Sequence, residues 1–299
     1  MHGRRVLRCA GACCLLAAIG SAAAGPAGAT AARASGGPTT CAGTPDSPVV
    51  LSGTYPSGVV VTGYCTVDGG AAVVHGSLTV AAHAVLDASF AFNDVTGTGA
   101  SSLTVTGNVK VGSGATLFVG CEPGFFACTD DPGGTASGHD HIGGNLVATY
   151  ALGVVVHHTS VGGSVTQSWG GGGVAPPTGG INSTCIATPP GPYAMTGVYS
   201  DYEDDTIGGN LEVTGVRTCW FGMLRNRVPG NLVVSRDVFS DPDANEVMQN
   251  TVGKDITCKG NSPAVQYGDS SATPNVVTGT ASGECSFTRV PGPPVSVKA

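Results

Sequence analysis

The chain has 299 residues, of which 48 are glycine and 11% are charged, and its formal net charge is −7. Glycine inside a helix costs about 1 kcal/mol relative to alanine, so this composition excludes a helical fold. Between Arg33 and Arg217 the one Lys or Arg is Lys110, and a surface so short of cations cannot neutralise phosphates, which excludes nucleic acid and anionic lipid as partners.

Met1 to Arg8 carries Arg4, Arg5 and Arg8, and an acid-free apolar run follows from Cys9 to Gly25, ending at small-residue sites such as Ala32-Arg33-Ala34. This is the pattern of a secretory signal peptide over residues 1–34. Its removal takes four of 13 basic residues and none of the 20 acids, moving the net charge to 9 − 20 = −11. No later stretch holds the roughly 20 apolar residues of a membrane span, so a secreted, extracellular product is expected, held at a cell surface only non-covalently. Residues 35–48 mix Gly, Pro, Thr and Ser without periodicity and read as a disordered lead-in. The folded domain is expected over 49–288, with a flexible tail at 289–299.

Within the domain the apolar residues come in short alternating bursts, such as Val59 and Val61, Leu103 and Val105, and Leu117 and Val119, each bounded by Gly, Asn, Ser or Thr. Such bursts are strands. A turn phrase precedes many of them: Gly76-Ser77-Leu78, Gly107-Asn108-Val109, Gly144-Asn145-Leu146, Gly163-Ser164-Val165, Gly209-Asn210-Leu211, Gly230-Asn231-Leu232, and a worn copy at Lys254-Asp255-Ile256. An antiparallel β-sandwich has no reason to repeat one turn, whereas every coil of a parallel β-helix makes the same turn. Glycine-to-glycine intervals of 19 and 21 fit one coil each, and those of 31, 37 and 46 fit one coil with an inserted loop, or two coils. Asn108, Asn145, Asn210 and Asn231 are placed to hydrogen-bond from coil to coil.

The repeat resembles right-handed parallel β-helix proteins, and with Gly114-Ala115-Thr116-Leu117-Phe118-Val119 it is similar to the bactofilins over residues 75–260. The resemblance implies the solenoid fold. Export and cysteine content depart from the cytoplasmic bactofilin pattern, so no cytoskeletal role is carried over.

Cys9, Cys13 and Cys14 leave with the signal peptide, and the eight remaining cysteines read as disulfides in an exported chain. Sequence neighbours in a solenoid are spatial neighbours, which pairs Cys41 with Cys65, Cys121 with Cys128, Cys185 with Cys219 and Cys258 with Cys285.

Three polar clusters are candidates for chemistry. Asp130, Asp131, His139 and Asp140 lie between two phrase copies and supply groups for general acid/base work. They partly echo the Asp-Asp and Gly-His-Gly motifs of polygalacturonase-like β-helix glycosidases, with no counterpart of that family's basic motif. Tyr193, Tyr199, Tyr202, Trp220 and Phe221 with Asp201, Glu203, Asp204 and Asp205 suit glycan binding, Tyr199, Tyr202, Trp220 and Asp204 above all. Asp241, Asp243 and Glu246 offer oxygens that suit calcium but lack the glycine and distal glutamate of an EF-hand. His157 and His158 are adjacent and in a strand point to opposite faces, so both cannot ligate one ion without a bulge, and one exposed and one packed histidine is expected. The expected function is a secreted, non-enzymatic structural or adhesive β-solenoid of the cell surface or matrix, with polysaccharide a candidate partner and self-association through solenoid ends. The alternative is a carbohydrate-active β-helix enzyme.

Overall fold

Each apolar burst forms a strand of two to five residues that pairs with its counterparts one coil before and one coil after. The computed structural model describes residues 36–124, 126–173, 197–266 and 273–291. Three sheets of ten, eight and ten strands run side by side, and all pairing within them is parallel. The chain is therefore a three-sided parallel β-helix, and the sandwich alternative is excluded.

One coil visits the sheets in turn. Leu146–Thr149 lies in the first, Gly153–His157 in the second and Ser160–Val161 in the third, before Val165–Ser168 returns to the first. The phrase strands of the first sheet are successive neighbours, so each interval of 31, 37 or 46 residues is one coil with a loop inserted. Two of those loops, 89–101 and 120–140, leave the corner between the second and third sheets.

Registry explains the core. Leu78, Val109, Leu146, Val165, Leu211, Leu232 and Ile256 follow one another in a column and all are buried. Burial of such a side chain stabilises by about 1.5–3 kcal/mol. Tyr202, Phe221 and Phe239 join the same core, the two phenylalanine rings stacked at 5.3 Å.

Hydrogen-bonded ladders of side chains run along the corners. Asn145 donates its amide to Asn108 Oδ1 at 2.8 Å, Ser164 to Asn145, Asn210 to Ser164, Asn231 to Asn210 and Asp255 to Asn231. This is the ladder expected from the turn phrase. A second, buried one joins Thr159, Asp205, Asn226, Asn250 and Asn275 at the corner into the third sheet. A third joins Val216, Asp237, Asn261 and Glu284.

The solenoid is longer than the sequence suggests. Thr39–Cys41, in the expected lead-in, is the first strand of the first sheet, and Cys41 is buried. Arg289–Pro291, in the expected tail, pairs with Asn275–Val277. Each is an end strand of its sheet with one neighbour. A 3₁₀ turn, Glu284–Thr288, packs on the last strands and buries Cys285. Disulfides join Cys41 to Cys65, Cys121 to Cys128 and Cys258 to Cys285. Cys219 is also disulfide-bonded; its expected partner Cys185, like the expected signal peptide, lies outside the described residues. No helix among the described residues is long and apolar enough to cross a membrane.

Candidate functional site

The acid-histidine loop does not converge on a catalytic set, because its carboxylates are spent on backbone amides. Asp130 accepts hydrogen bonds from the amides of Ala91 and Phe92. Asp131 accepts from Thr135 and Ala136, which hold its carboxyl below the usual range. Asp140 is buried and takes the amides of Leu103 at 2.6 Å and Gly120 at 3.0 Å. Burial pushes it up to about 7 against those two amides. His139 is exposed, with Nδ1 against the carbonyl of His158. The residues of the partial glycosidase echo thus serve as acceptors for backbone amides, Asp131 within its own loop and Asp130 and Asp140 toward other segments.

The aromatic-acidic cluster divides between the two sides of the second sheet. Tyr202 points inward, fully buried, and donates its hydroxyl hydrogen bond to Gln167 Oε1 at 2.9 Å. It is a core residue and offers no face to a glycan. Phe221 is likewise interior. Tyr199 and Trp220 point outward on neighbouring strands, half-buried, their rings edge to face at 6.3 Å. Tyr193 lies outside the described residues. The calcium candidates also fail to converge. Asp241 is buried and accepts from the Asp243 amide, Asp243 is exposed, and Glu246 is buried in a strand of the second sheet.

The outer face of the second sheet instead assembles a network around His157, the packed member of the histidine pair, which points away from the core and is buried by the loop covering that face. His157, Glu203 and Leu224 succeed one another in register, and Asp201 lies two residues before Glu203 on the same face. His157 Nε2 is 3.0 Å from Asp201 Oδ2 and Nδ1 is 3.4 Å from Glu122 Oε1. Glu122 comes from the loop that Cys121–Cys128 pinches shut, and Phe126 of the same loop stacks on the imidazole at 4.6 Å. Arg225 binds Glu203 through Nη2 and Asp204 through Nε at 2.6 Å. Gly222 leaves the space that the Asp201 carboxylate fills; a Cβ there would strike Asp201 Oδ1.

The electrostatics are those of excess negative charge: four carboxylates (Glu122, Asp201, Glu203, Asp204) face one guanidinium and one imidazole. Burial alone would lower His157, but the Asp201 carboxylate outweighs it and the group sits at about 10. Burial and then Asp201 push Glu203 up to about 8. Burial and a hydrogen bond with Glu122 push Asp204 up to about 6. Glu122 is held below its usual range because His157 and its other partners outweigh its own burial. Among the described residues, the place where three such side chains bring ligand atoms within 4.8 Å of one another is Glu122, His157 and Glu203.

A second feature went unread in the sequence. Tyr150 and Trp169 occupy the same corner of successive coils, both in left-handed backbone (φ 55° and 59°), and both are exposed. The Trp169 indole lies across Gly215 of the next coil, and Arg236 of the coil beyond stands 5.7 Å from the ring centroid. Aligning the turn phrases finds this column: Tyr150, Trp169, Gly215, Arg236 and Gly260 each stand six residues after the first phrase residue. Comparison with protein-family models, curated proteins and solved structures finds no match to this chain.

Proposed function

We propose that the chain is a secreted structural β-solenoid that works as an adhesive rod at the cell surface or in the extracellular matrix, with a polysaccharide as its partner. The exposed corner column of Tyr150 and Trp169, backed by Gly215 and Arg236, carries this reading. Flat rings on a rigid corner stack on sugar faces at little entropic cost, and a cation beside them serves sugar hydroxyls or acidic sugars. The hydrogen-bonded ladders and the disulfides support a rod that keeps its shape outside the cell. The test is retention of the full oxidised chain on insoluble cellulose, chitin and peptidoglycan. Trp169→Ala is expected to abolish retention while the melting temperature holds; retention on nothing, or retention indifferent to Trp169→Ala, overturns it.

One observation favours a second reading, a carbohydrate-active enzyme. Glu203, pushed up to about 8 by burial and Asp201, lies beside Glu122, held below its usual range, on the outer face of a parallel sheet, and two carboxyl groups with separated titrations are what glycoside cleavage uses. Release of reducing ends that Glu203→Gln stops would establish it.

A further inference from the structure

We propose that Glu122, His157 and Glu203 form a binding site for one divalent transition-metal cation, zinc foremost, and that Asp201 positions the histidine for it. Three observations carry the assignment. First, ligand atoms of these three side chains already lie within 4.8 Å of one another although they come from a loop and two different coils. Second, the separation of His157 Nδ1 and Glu122 Oε1 is 3.4 Å. That is long for a hydrogen bond, whose usual span is about 2.7–3.2 Å. It matches one edge of a tetrahedron whose ligands stand about 2.0–2.1 Å from its centre, roughly 3.4 Å, the spacing of an imidazole and a carboxylate that share a zinc ion. Third, Asp201 Oδ2 takes the other ring nitrogen at 3.0 Å, while its Oδ1 is buried with no hydrogen-bond partner among the described residues. A ligating histidine donates its far N–H to a carboxylate in this way, which fixes the tautomer and aims the near nitrogen at the metal.

Charge points to the same occupant. Four carboxylates against one arginine and one histidine leave the pocket short of positive charge, and a dication supplies it. Arg225 engages Glu203 through Oε2 and stands 4.0 Å from Glu122 Oε1, at the rim of the three proposed ligands. The Cys121–Cys128 bridge fixes Glu122 beside the histidine, and Phe126 shields the imidazole from water on one face. Calcium suits the site less well, because it prefers six to eight oxygens and the site offers a nitrogen at its centre. The assignment is independent of the adhesive reading.

The experiment is calorimetric titration of the chelator-stripped, oxidised full chain with zinc chloride, and separately with calcium chloride, at neutral pH. One equivalent of zinc is expected, with a rise in melting temperature, and Glu122→Gln and His157→Gln are each expected to weaken zinc binding at least tenfold. Glu122 is only partly buried and sits on a loop, so Glu122→Gln decides the matter if His157→Gln does not fold. Cobalt in place of zinc is expected to give the visible absorption of a tetrahedral site. No zinc binding, zinc binding unchanged in Glu122→Gln, or calcium bound in preference to zinc each overturns the assignment.

Discussion

Asp237 stands at a ladder position where asparagine is the better residue, and replacing it is predicted to stabilise the protein in a pH-dependent way. Its Oδ1 accepts the Val216 amide at 2.7 Å, but Oδ2 is buried and has no hydrogen-bond partner among the described residues. One coil later Asn261 fills the equivalent place, and its Nδ2 donates to the Val234 carbonyl at 3.0 Å. Val234 pairs in register with Val213, so the Val213 carbonyl is the equivalent acceptor for Asp237, and a carboxylate cannot donate to it. Burial pushes the Asp237 carboxyl up to about 7 against the amides that bind it. Because the folded state then holds the proton to higher pH than the unfolded chain, stability is greatest in acid and falls as pH rises from about 4 through about 7. The slope is about 1.4 kcal/mol per pH unit, or roughly 3 kcal/mol between pH 5 and pH 7. Asp237→Asn removes that slope and supplies the missing donor. Urea unfolding at pH 5 and pH 8, with disulfides intact, should show the advantage of the variant growing by roughly 3 kcal/mol, equivalent to roughly 6–12 °C in melting temperature. Parallel stability curves for the two proteins, or a variant less stable at pH 8, would refute the reasoning.

Three further outcomes are expected. Asn250→Ala deletes the acceptor of the Asn226 amide and the donor to the Met223 carbonyl, both buried; at about 1–3 kcal/mol per orphaned group, the urea midpoint should fall by the equivalent of roughly 4 kcal/mol. Replacing Cys41 and Cys65 with alanine opens a crosslink spanning 24 residues, and chain entropy gives a loss of roughly 3 kcal/mol, measurable by the same unfolding curve. Gly120 sits at φ 72° with a Cβ position that collides with the His157 carbonyl, so Gly120→Ala should destabilise by roughly 3 kcal/mol. If the alanine variant melts with the parent protein, the close approach of loop and coil at that point is wrong.

The parts of this structure legible in the sequence are those the solenoid repeats. Gly-Asn before an apolar alternation recurs because each coil must make the same turn, so the fold, the phrase ladder and the paired cysteines follow from copies of one local solution. What could not be read is what the solenoid does only once, or does through register. Asp140 and Asp205 look like free acids in the sequence but occupy rungs that asparagine holds in later coils. Tyr202 reads as a surface aromatic beside Asp201 and Glu203, yet strand alternation sends it inward to Gln167, a residue 35 positions away. The His157 network needs a loop residue next to a cysteine, a strand residue from one coil and two from the next, brought together by parallel pairing that no linear spacing displays. Coils of unequal length hide the column of Tyr150, Trp169, Gly215 and Arg236 until the turn phrases are set in register. In a fold whose core is a repeated solution, departures from the repeat are where function is to be sought. The departures here are the aromatic pair on one corner and the buried charges on the second sheet.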